Sequence, residues 1–181
     1  KENVPVVFAQ PTSSRFSYGA SKFMGEFLFL HFGEKFDKKV TVLRYHNIYG
    51  PRMGNRHVIP ELIMRLNMKE NPLNLYGGQE TRSFCYISDA ISATYKIASE
   101  FNCSNEIIHV GNPMEEIQII DLADKMINLM GLDIKVQSSS GLEGSVSRRC
   151  PDISKLQQLT NFEPLVDLYT GLQKTINWYL P

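Results

Sequence analysis

Apolar residues recur every three or four positions in several stretches of the chain, which is the period of an amphipathic helix. Short runs rich in β-branched residues lie between these stretches and predict strands. The predicted helices cover residues 18–36, 58–70, 88–101, 120–130 and 168–180, with a short one after Asp152. The predicted strands cover residues 40–43, 73–76, 84–87, 106–110 and 134–136. Because the two types alternate, the sequence predicts an α/β fold.

Polar and glycine-containing segments separate these elements. Residues 45–57 and 137–147 are predicted loops. Ser17 and Ser88 are predicted to cap the helices that follow them. Gly131 is predicted to end the helix before it.

Several aromatic, charged and histidine side chains are expected to have structural roles. Tyr49, Phe84 and Tyr86 are expected to pack in the core. Asp89 is expected to cap its helix and to orient the neighbouring arginine loop. Arg44 ends a predicted strand and could pair with a carboxylate. His31 and His109 have no partner at a metal-ligand spacing, so a structural or surface role is expected for both.

Composition excludes several classes of protein. The 181 residues include 19 Lys and Arg and 19 Asp and Glu, and this neutral balance argues against a general nucleic-acid binder. No apolar run approaches the roughly 18 residues of a membrane span. The three cysteines are widely spaced and form no metal-ligand pattern, so we expect a reducing, cytoplasmic location.

Positive charge is concentrated in one part of the chain. Residues 44–82 carry six Lys and Arg against three Glu, whereas residues 100–133 are acidic. A basic segment in a neutral chain fits an anionic small molecule better than a polymer. Chance scatter over a solvated surface is the alternative.

Tyr18 and Lys22 are four residues apart, so on a helix they share one face. An ammonium group near a phenol favours the phenolate. Such a tyrosine can exchange a proton with an alcohol during hydride transfer. The alternative is an ordinary surface pair.

Three later segments place arginine in or beside a loop. They are residues 43–53 (LRYHNIYGPRM), 75–89 (LYGGQETRSFCYISD) and 148–155 (RRCPDISK). The first follows the carboxyl end of a predicted strand, where α/β sheets bind ligands. Arginine suits bidentate contact with phosphate oxygens.

In this order, YGASK at 18–22, these three segments and GLQKTINW at 171–178 resemble the extended short-chain dehydrogenase/reductase family. Its members include NAD-dependent nucleotide-sugar epimerases, dehydratases and decarboxylases. The resemblance implies a partial Rossmann-like parallel sheet plus a small α/β substrate-binding domain. Residues 1–57, with elements near 84–110, would form the first part, and residues 58–83 and 111–181 mainly the second.

The resemblance also implies roles toward NAD. Tyr18 corresponds to the catalytic tyrosine. Lys22 corresponds to the lysine that also binds the nicotinamide ribose. Tyr45 and His46 lie where the family's backbone approaches the nicotinamide.

Further residues correspond to contacts with a nucleotide-diphosphate sugar. Asn47, Arg82 and Arg149 correspond to diphosphate contacts. Asp152 corresponds to the acid that holds a ribose of the substrate nucleotide.

The remaining matches concern the walls of the substrate pocket. Leu75 and Tyr76 lie on the strand that lines the base pocket in the family. His57 and Val58 begin the helix that covers the substrate.

The family's amino-terminal G-x-x-G-x-x-G motif, which holds the cofactor pyrophosphate, does not occur in this sequence. The chain could be the carboxyl-terminal portion of an enzyme that oxidises a sugar hydroxyl, often at C4, and Lys rather than Met at position 1 favours this. It could instead be a natural short module that binds a nucleotide sugar or another protein without NAD-dependent catalysis. A helix like 18–36 often mediates homodimers in the family.

Overall fold

The computed structural model describes residues 1–7, 14–100, 105–141 and 145–180. The helices are α1 (Ser17–Lys35), α2 (Val58–Asn67), α3 (Ile87–Glu100), α4 (Ile119–Leu129), α5 (Ser154–Thr160) and α6 (Leu168–Tyr179). The strands are β1 (Thr41–Tyr45), β2 (Ile48–Tyr49), β3 (Leu73–Tyr76), β4 (Thr81–Ser83), β5 (Cys85–Tyr86), β6 (Glu106–Val110), β7 (Glu116–Gln118), β8 (Val136–Ser139) and β9 (Arg148–Arg149).

Strand β1 organises one end of the molecule. It pairs in parallel with β6, with Thr41 opposite Glu106 and Tyr45 opposite Val110. Successive side chains of a strand point to opposite faces. Arg44 accordingly reaches α1 on one face, whereas Leu43 packs with the α3 cluster on the other. Helices therefore cover both faces of this sheet, the arrangement typical of a parallel α/β sheet.

The other end contains three further small sheets. Strands β2 and β5 pair in parallel, as do β3 and β8. Strand β4 lies between β7, which is antiparallel to it, and β9, which is parallel to it. The last sheet brings the two arginine-bearing segments, 75–89 and 148–155, into contact.

Two clusters of buried apolar side chains stabilise the fold. The larger lies among α2, α4 and α6 and includes Tyr49, Phe84 and Tyr86, which confirms the prediction that these three aromatic residues are core. The smaller joins β6, α3 and α5, with Ile108 and Leu156 fully buried. Helix α5 thus packs against the same sheet as α3.

Most element predictions are confirmed, with shifts of a few residues at the ends. The strand predicted at 134–136 is instead β8, at 136–139, so the predicted loop 137–147 is wrong over its first three residues. Strands β2, β4, β7 and β9 were not predicted as strands. Each has only two or three residues, too few to show the alternation of apolar and polar positions. Gly131 ends α4 with φ +64°, as predicted.

Three predicted caps are corrected. Ser17 is the first residue of α1 and its hydroxyl donates to the Ser14 carbonyl. Helix α3 begins at Ile87, one residue before Ser88. Asp89 does not cap α3, because its Oδ2 accepts hydrogen bonds from the amides of Leu165 and Val166.

Gly171 in α6 is expected to tolerate no side chain. A Cβ there would overlap the hydroxyl of Tyr49 and lie 3.0 Å from the Tyr86 ring. Gly171→Ala should lower the free energy of unfolding by ~1–3 kcal/mol, the usual cost of overpacking a core. Urea unfolding measures the change.

Gly25→Ala is the matched control, since a Cβ on Gly25 would meet nothing within 4 Å. It should be neutral or stabilise the helix by up to ~1 kcal/mol. Equal stability of the two variants would contradict the close contact between Gly171 and Tyr49.

Candidate active site

An open groove separates α1 from β1, with a volume of about 590 Å³. Its lining residues come from one face of the helix and from the strand: Tyr18, Lys22, Gly25, Glu26 and Phe29, with residues 40–45. Tyr18, Lys22 and Tyr45, which sequence analysis selected from segments far apart, therefore line one groove.

Lys22 lies directly against Tyr18. Its ammonium nitrogen is 5.3 Å from the centroid of the phenol ring. Tyr18 is 72% exposed, so its hydroxyl is accessible to a small molecule. This cation–π contact holds the positive charge beside the phenol.

Glu26 fixes the helix that carries this pair. Lying one turn beyond Lys22, it accepts two hydrogen bonds from Arg44 of β1, at 2.8 and 2.6 Å. The paired side chains are only 14% and 21% exposed, and the carboxylate raises the pKa of Arg44. Bidentate pairs of this kind fix orientation as well as distance. A carboxylate partner was expected for Arg44, and the i, i+4 spacing of Glu26 from Lys22 could have identified it.

His46 follows β1 and is half-buried. Its amide donates to the carbonyl of Val110, and its ring lies 4.6 Å from that of His109 at a steep angle. The two rings leave His46 Nε2 and His109 Nδ1 buried without a hydrogen-bond partner among the described residues. Burial, with the nearby His109 and Arg44, lowers the pKa of His46 from its ordinary value near 6.5 to about 4. His46 is therefore neutral at physiological pH.

The arginine segments meet at the strand pair β4–β9. Arg82 of β4 lies in register with Arg149 of β9. Arg82 is largely buried and donates to Glu80 at 2.5 Å and to its neighbour's carbonyl, Thr81 O, at 2.7 Å. Arg149 is exposed, and Arg148 pairs with Glu116 of β7.

Local ion pairs neutralise part of the basic segment 44–82. The pairs are Arg44 with Glu26, Arg65 with Glu70 and Glu61, and Arg82 with Glu80. Glu61, Glu70 and Glu80 already count in the charge balance of the segment, so only Glu26, which comes from outside it, lowers the positive excess read from the sequence.

Asn47 and Asp152 already make hydrogen bonds within the chain. Asn47 has φ +43° and its side-chain amide donates to the Ser83 carbonyl at 2.8 Å. Asp152 accepts hydrogen bonds from the amide and the hydroxyl of Ser154, which lowers the pKa of this carboxyl. The predicted cap is corrected by one residue, because Ile153 occupies the N-cap position of α5 and Asp152 precedes it. Asn47 retains its side-chain oxygen for a ligand, whereas the second carboxylate oxygen of Asp152 lies 3.8 Å from the ammonium group of Lys1.

The pocket-wall residues lie at two different depths. His57 is exposed at the start of α2, and Val58, its first residue, packs partly against the larger core cluster. Leu75 is 5% exposed, so only its backbone could reach a ligand, whereas Tyr76 is 71% exposed.

A model of the NAD dependent epimerase/dehydratase family matches residues 5–111. The chain belongs to this family. It is 33% identical over 184 residues to a UDP-N-acetyl-alpha-D-glucosaminuronate decarboxylase of Bacillus cytotoxicus, covering 96% of this chain and 56% of the relative. It is 31% identical to UDP-glucuronic acid decarboxylase 1 of Xenopus tropicalis, covering 93% and 40%.

The structure resembles that of a UDP-glucuronic acid 4-epimerase variant from Bacillus cereus, crystallised with NAD and a fluorinated UDP-sugar. The TM-score is 0.87 at 27% identity, over 98% of this chain and 55% of that one. The mixed α/β fold with parallel sheet pieces is thus that of the family. The chain spans about half the length of the relatives and structures it matches.

The family's cofactor can be tested against the residues present. Tyr18, Lys22 and Tyr45 line an accessible groove, which fits the nicotinamide end of NAD. The pyrophosphate end has no counterpart in this sequence, which lacks the glycine-rich motif. Within the described residues no cluster of side chains is suited to a metal ion, and no described helix is long and apolar enough to cross a membrane.

The buried His46 ring should make stability depend on pH. Its folded pKa of about 4 lies below the ordinary 6.5, so the unfolded chain binds a proton first as the pH falls. The free energy of unfolding should therefore decline between pH 6.5 and pH 4. Chemical denaturation across this range should show a shallower decline for His46→Asn. His31→Asn, on the exposed face of α1, is the control and should keep the wild-type slope. Identical slopes for all three proteins would rule out His46 as the source.

Proposed function

We propose that this chain supplies the proton-transfer pair and the substrate-binding half of an NAD-dependent enzyme that oxidises a nucleotide-sugar hydroxyl, at C4. The observation that carries this proposal is the groove between α1 and β1, which Tyr18 and Lys22 line from the helix and residues 40–45 line from the strand. Family membership supports it, and so does the 4-epimerase named above, which binds NAD and a UDP-sugar.

Tyr18 accepts the proton of the sugar hydroxyl at its phenol oxygen and later returns it. Lys22 lies over the ring and places a positive charge beside the phenol. The Glu26–Arg44 pair holds this turn of α1 against β1, so that the phenol keeps its place in the groove. NAD held beside Tyr18 and Lys22 would supply the acceptor for the hydride from the sugar carbon that carries this hydroxyl.

The strand pair β4–β9 is the proposed diphosphate site. Arg149 is exposed, and Arg82 lies beside it in register. Asn47 and Asp152 complete the proposed contacts, and both lie near this edge through Ser83 and the segment after β9. The relatives' UDP-sugars support a nucleotide-diphosphate sugar as substrate.

We also propose that the chain forms a homodimer in the cytoplasm. Phe23 and Phe27 lie on the side of α1 turned away from the groove and are 40% and 52% exposed. Exposed apolar side chains on one side of a helix favour burial of that side against another chain. The small number of cysteines favours a reducing compartment.

Removing the phenol hydroxyl tests the proton-transfer role. In the assembled enzyme, Tyr18→Phe should lower turnover by at least ~100-fold, the lower range for a lost general base. Substrate affinity and the unfolding transition should stay near wild type, because the ring itself remains. Tyr169→Phe, at an exposed tyrosine on α6, is the control. A near-normal rate for Tyr18→Phe would assign the proton transfer to another group.

Adjacent arginines on β9 test the diphosphate site. Arg149→Ala should weaken nucleotide-sugar binding by ~1.5–3 kcal/mol, the usual contribution of charge-assisted hydrogen bonds. Arg148→Ala should weaken it far less, because Arg148 pairs with Glu116 and successive side chains of a strand face opposite ways. Calorimetric titration with the nucleoside diphosphate measures both. Equal losses of affinity in the two variants would contradict a specific role for Arg149 in diphosphate binding.

A further inference from the structure

The Arg82 guanidinium, which belongs to the proposed diphosphate site, already holds a carboxylate. Its Nη2 donates to Glu80 Oε2 at 2.5 Å, and its Nη1 donates to the Thr81 carbonyl at 2.7 Å. The side chains of Arg82 and Glu80 are only 12% and 17% exposed. A guanidinium has more N–H groups than these bonds use, so Arg82 can contact a phosphate oxygen while it keeps Glu80.

The surroundings of Glu80 hold it in place. Its amide donates to the Gly77 carbonyl, and its own carbonyl accepts from the amide of Ile119 at the start of α4. A Cβ added to Gly77 or to Gly141 would overlap the Oε1 atom of Glu80. The carboxylate therefore occupies a space that these glycines leave open, and its contact with Arg82 is fixed by the backbone around it.

Another ion pair of the same sheet is more exposed. Arg148 of β9 pairs with Glu116 of β7 at 2.7 Å, and the Arg148 side chain is 66% exposed. Water and salt screen exposed charges strongly and partly buried charges much less. The negative charge of Glu80 therefore acts more strongly on a ligand at Arg82 than the charge of Glu116 acts on a ligand near Arg148.

A carboxylate at this place opposes the binding of an anion. A nucleoside diphosphate carries several negative charges, and Glu80 repels them at the position where Arg82 attracts them. Without the Glu80 charge, Arg82 would attract the diphosphate with its full charge from a largely buried position. Tighter binding of substrate and product alike would not speed the chemical step, and it would slow the release of product.

We propose that Glu80 limits the strength of diphosphate binding. Its hydrogen bond keeps the Arg82 guanidinium in position, and its charge weakens the attraction for the nucleotide so that the product can leave. This inference rests on the proposed function, because it takes the strand pair β4–β9 as the diphosphate site. Glu80 acts through Arg82, so it is a positioning residue and not a catalytic one.

Calorimetric titration of the assembled enzyme with uridine diphosphate tests this role. Glu80→Gln keeps an acceptor for Arg82 and removes the charge, so the affinity for uridine diphosphate should rise about tenfold. The gain should be smaller for uridine monophosphate, which carries less charge. Glu116→Gln, at the exposed pair, is the matched control and should change either affinity by less than about twofold. A merely structural defect would weaken binding, so tighter binding identifies the effect of the charge.

Gly141→Ala reaches the same carboxylate without replacing Glu80, and it decides the matter if Glu80→Gln does not fold. The added Cβ would overlap Glu80 Oε1 and displace the carboxylate from Arg82, so the affinity for uridine diphosphate should again rise. Unchanged or weaker binding by the folded variants, or an equal gain in Glu116→Gln, overturns the role of Glu80. If Arg149→Ala still loses affinity in that case, the proposed diphosphate site stands. Unchanged affinity in both Arg82→Ala and Arg149→Ala overturns the site and the role of Glu80 together.

Discussion

The alternation of side chains along β1 is the constraint on which the rest of this end of the molecule depends. Because neighbouring residues of a strand face opposite ways, Arg44 holds α1 on one face while Leu43 and Tyr45 contact α3 and its cluster on the other. A shift of one residue would exchange the two sets and bury Arg44 in the apolar cluster. The pairing of β1 with β6 fixes this register, and with it the position of the Tyr18–Lys22 pair.

The buried ion pair between Glu26 and Arg44 adds specificity to this arrangement. Its stabilising value is offset by the cost of removing both charges from water. Its geometric value is clearer, since two short hydrogen bonds fix the rotation of α1 about its axis. Lys22 and Tyr18, one and two turns earlier, are thereby directed toward the groove. The His46 and His109 rings, whose pKa values are lowered mainly by burial, pack against each other at the end of β1.

The bounds of helices with a clear apolar stripe were predicted closely. The helical period repeats over many residues of such a helix, and all of them support the same assignment. The α6 prediction is an example, at 168–180 against the observed Leu168–Tyr179. The short strands β4, β7 and β9 were not recognisable, since their pairing depends on partners more than 30 residues away. Asp89 was misread for the same reason: its partners, Leu165 and Val166, lie far along the chain.

By itself, the sequence determined the α/β alternation, the Tyr18–Lys22 pair and the ordered segments that resemble the family, because all of these reside in local spacing. Only the tertiary structure decided that Glu26 is the carboxylate for Arg44, that Glu80 engages Arg82, and that Leu75 is core while Tyr76 is exposed. It also showed that α1, apolar on nearly all sides, has its large side chains exposed. The physical reason is that burial and charge pairing depend on which residues meet in the folded structure. The spacing of residues along the chain does not determine those contacts.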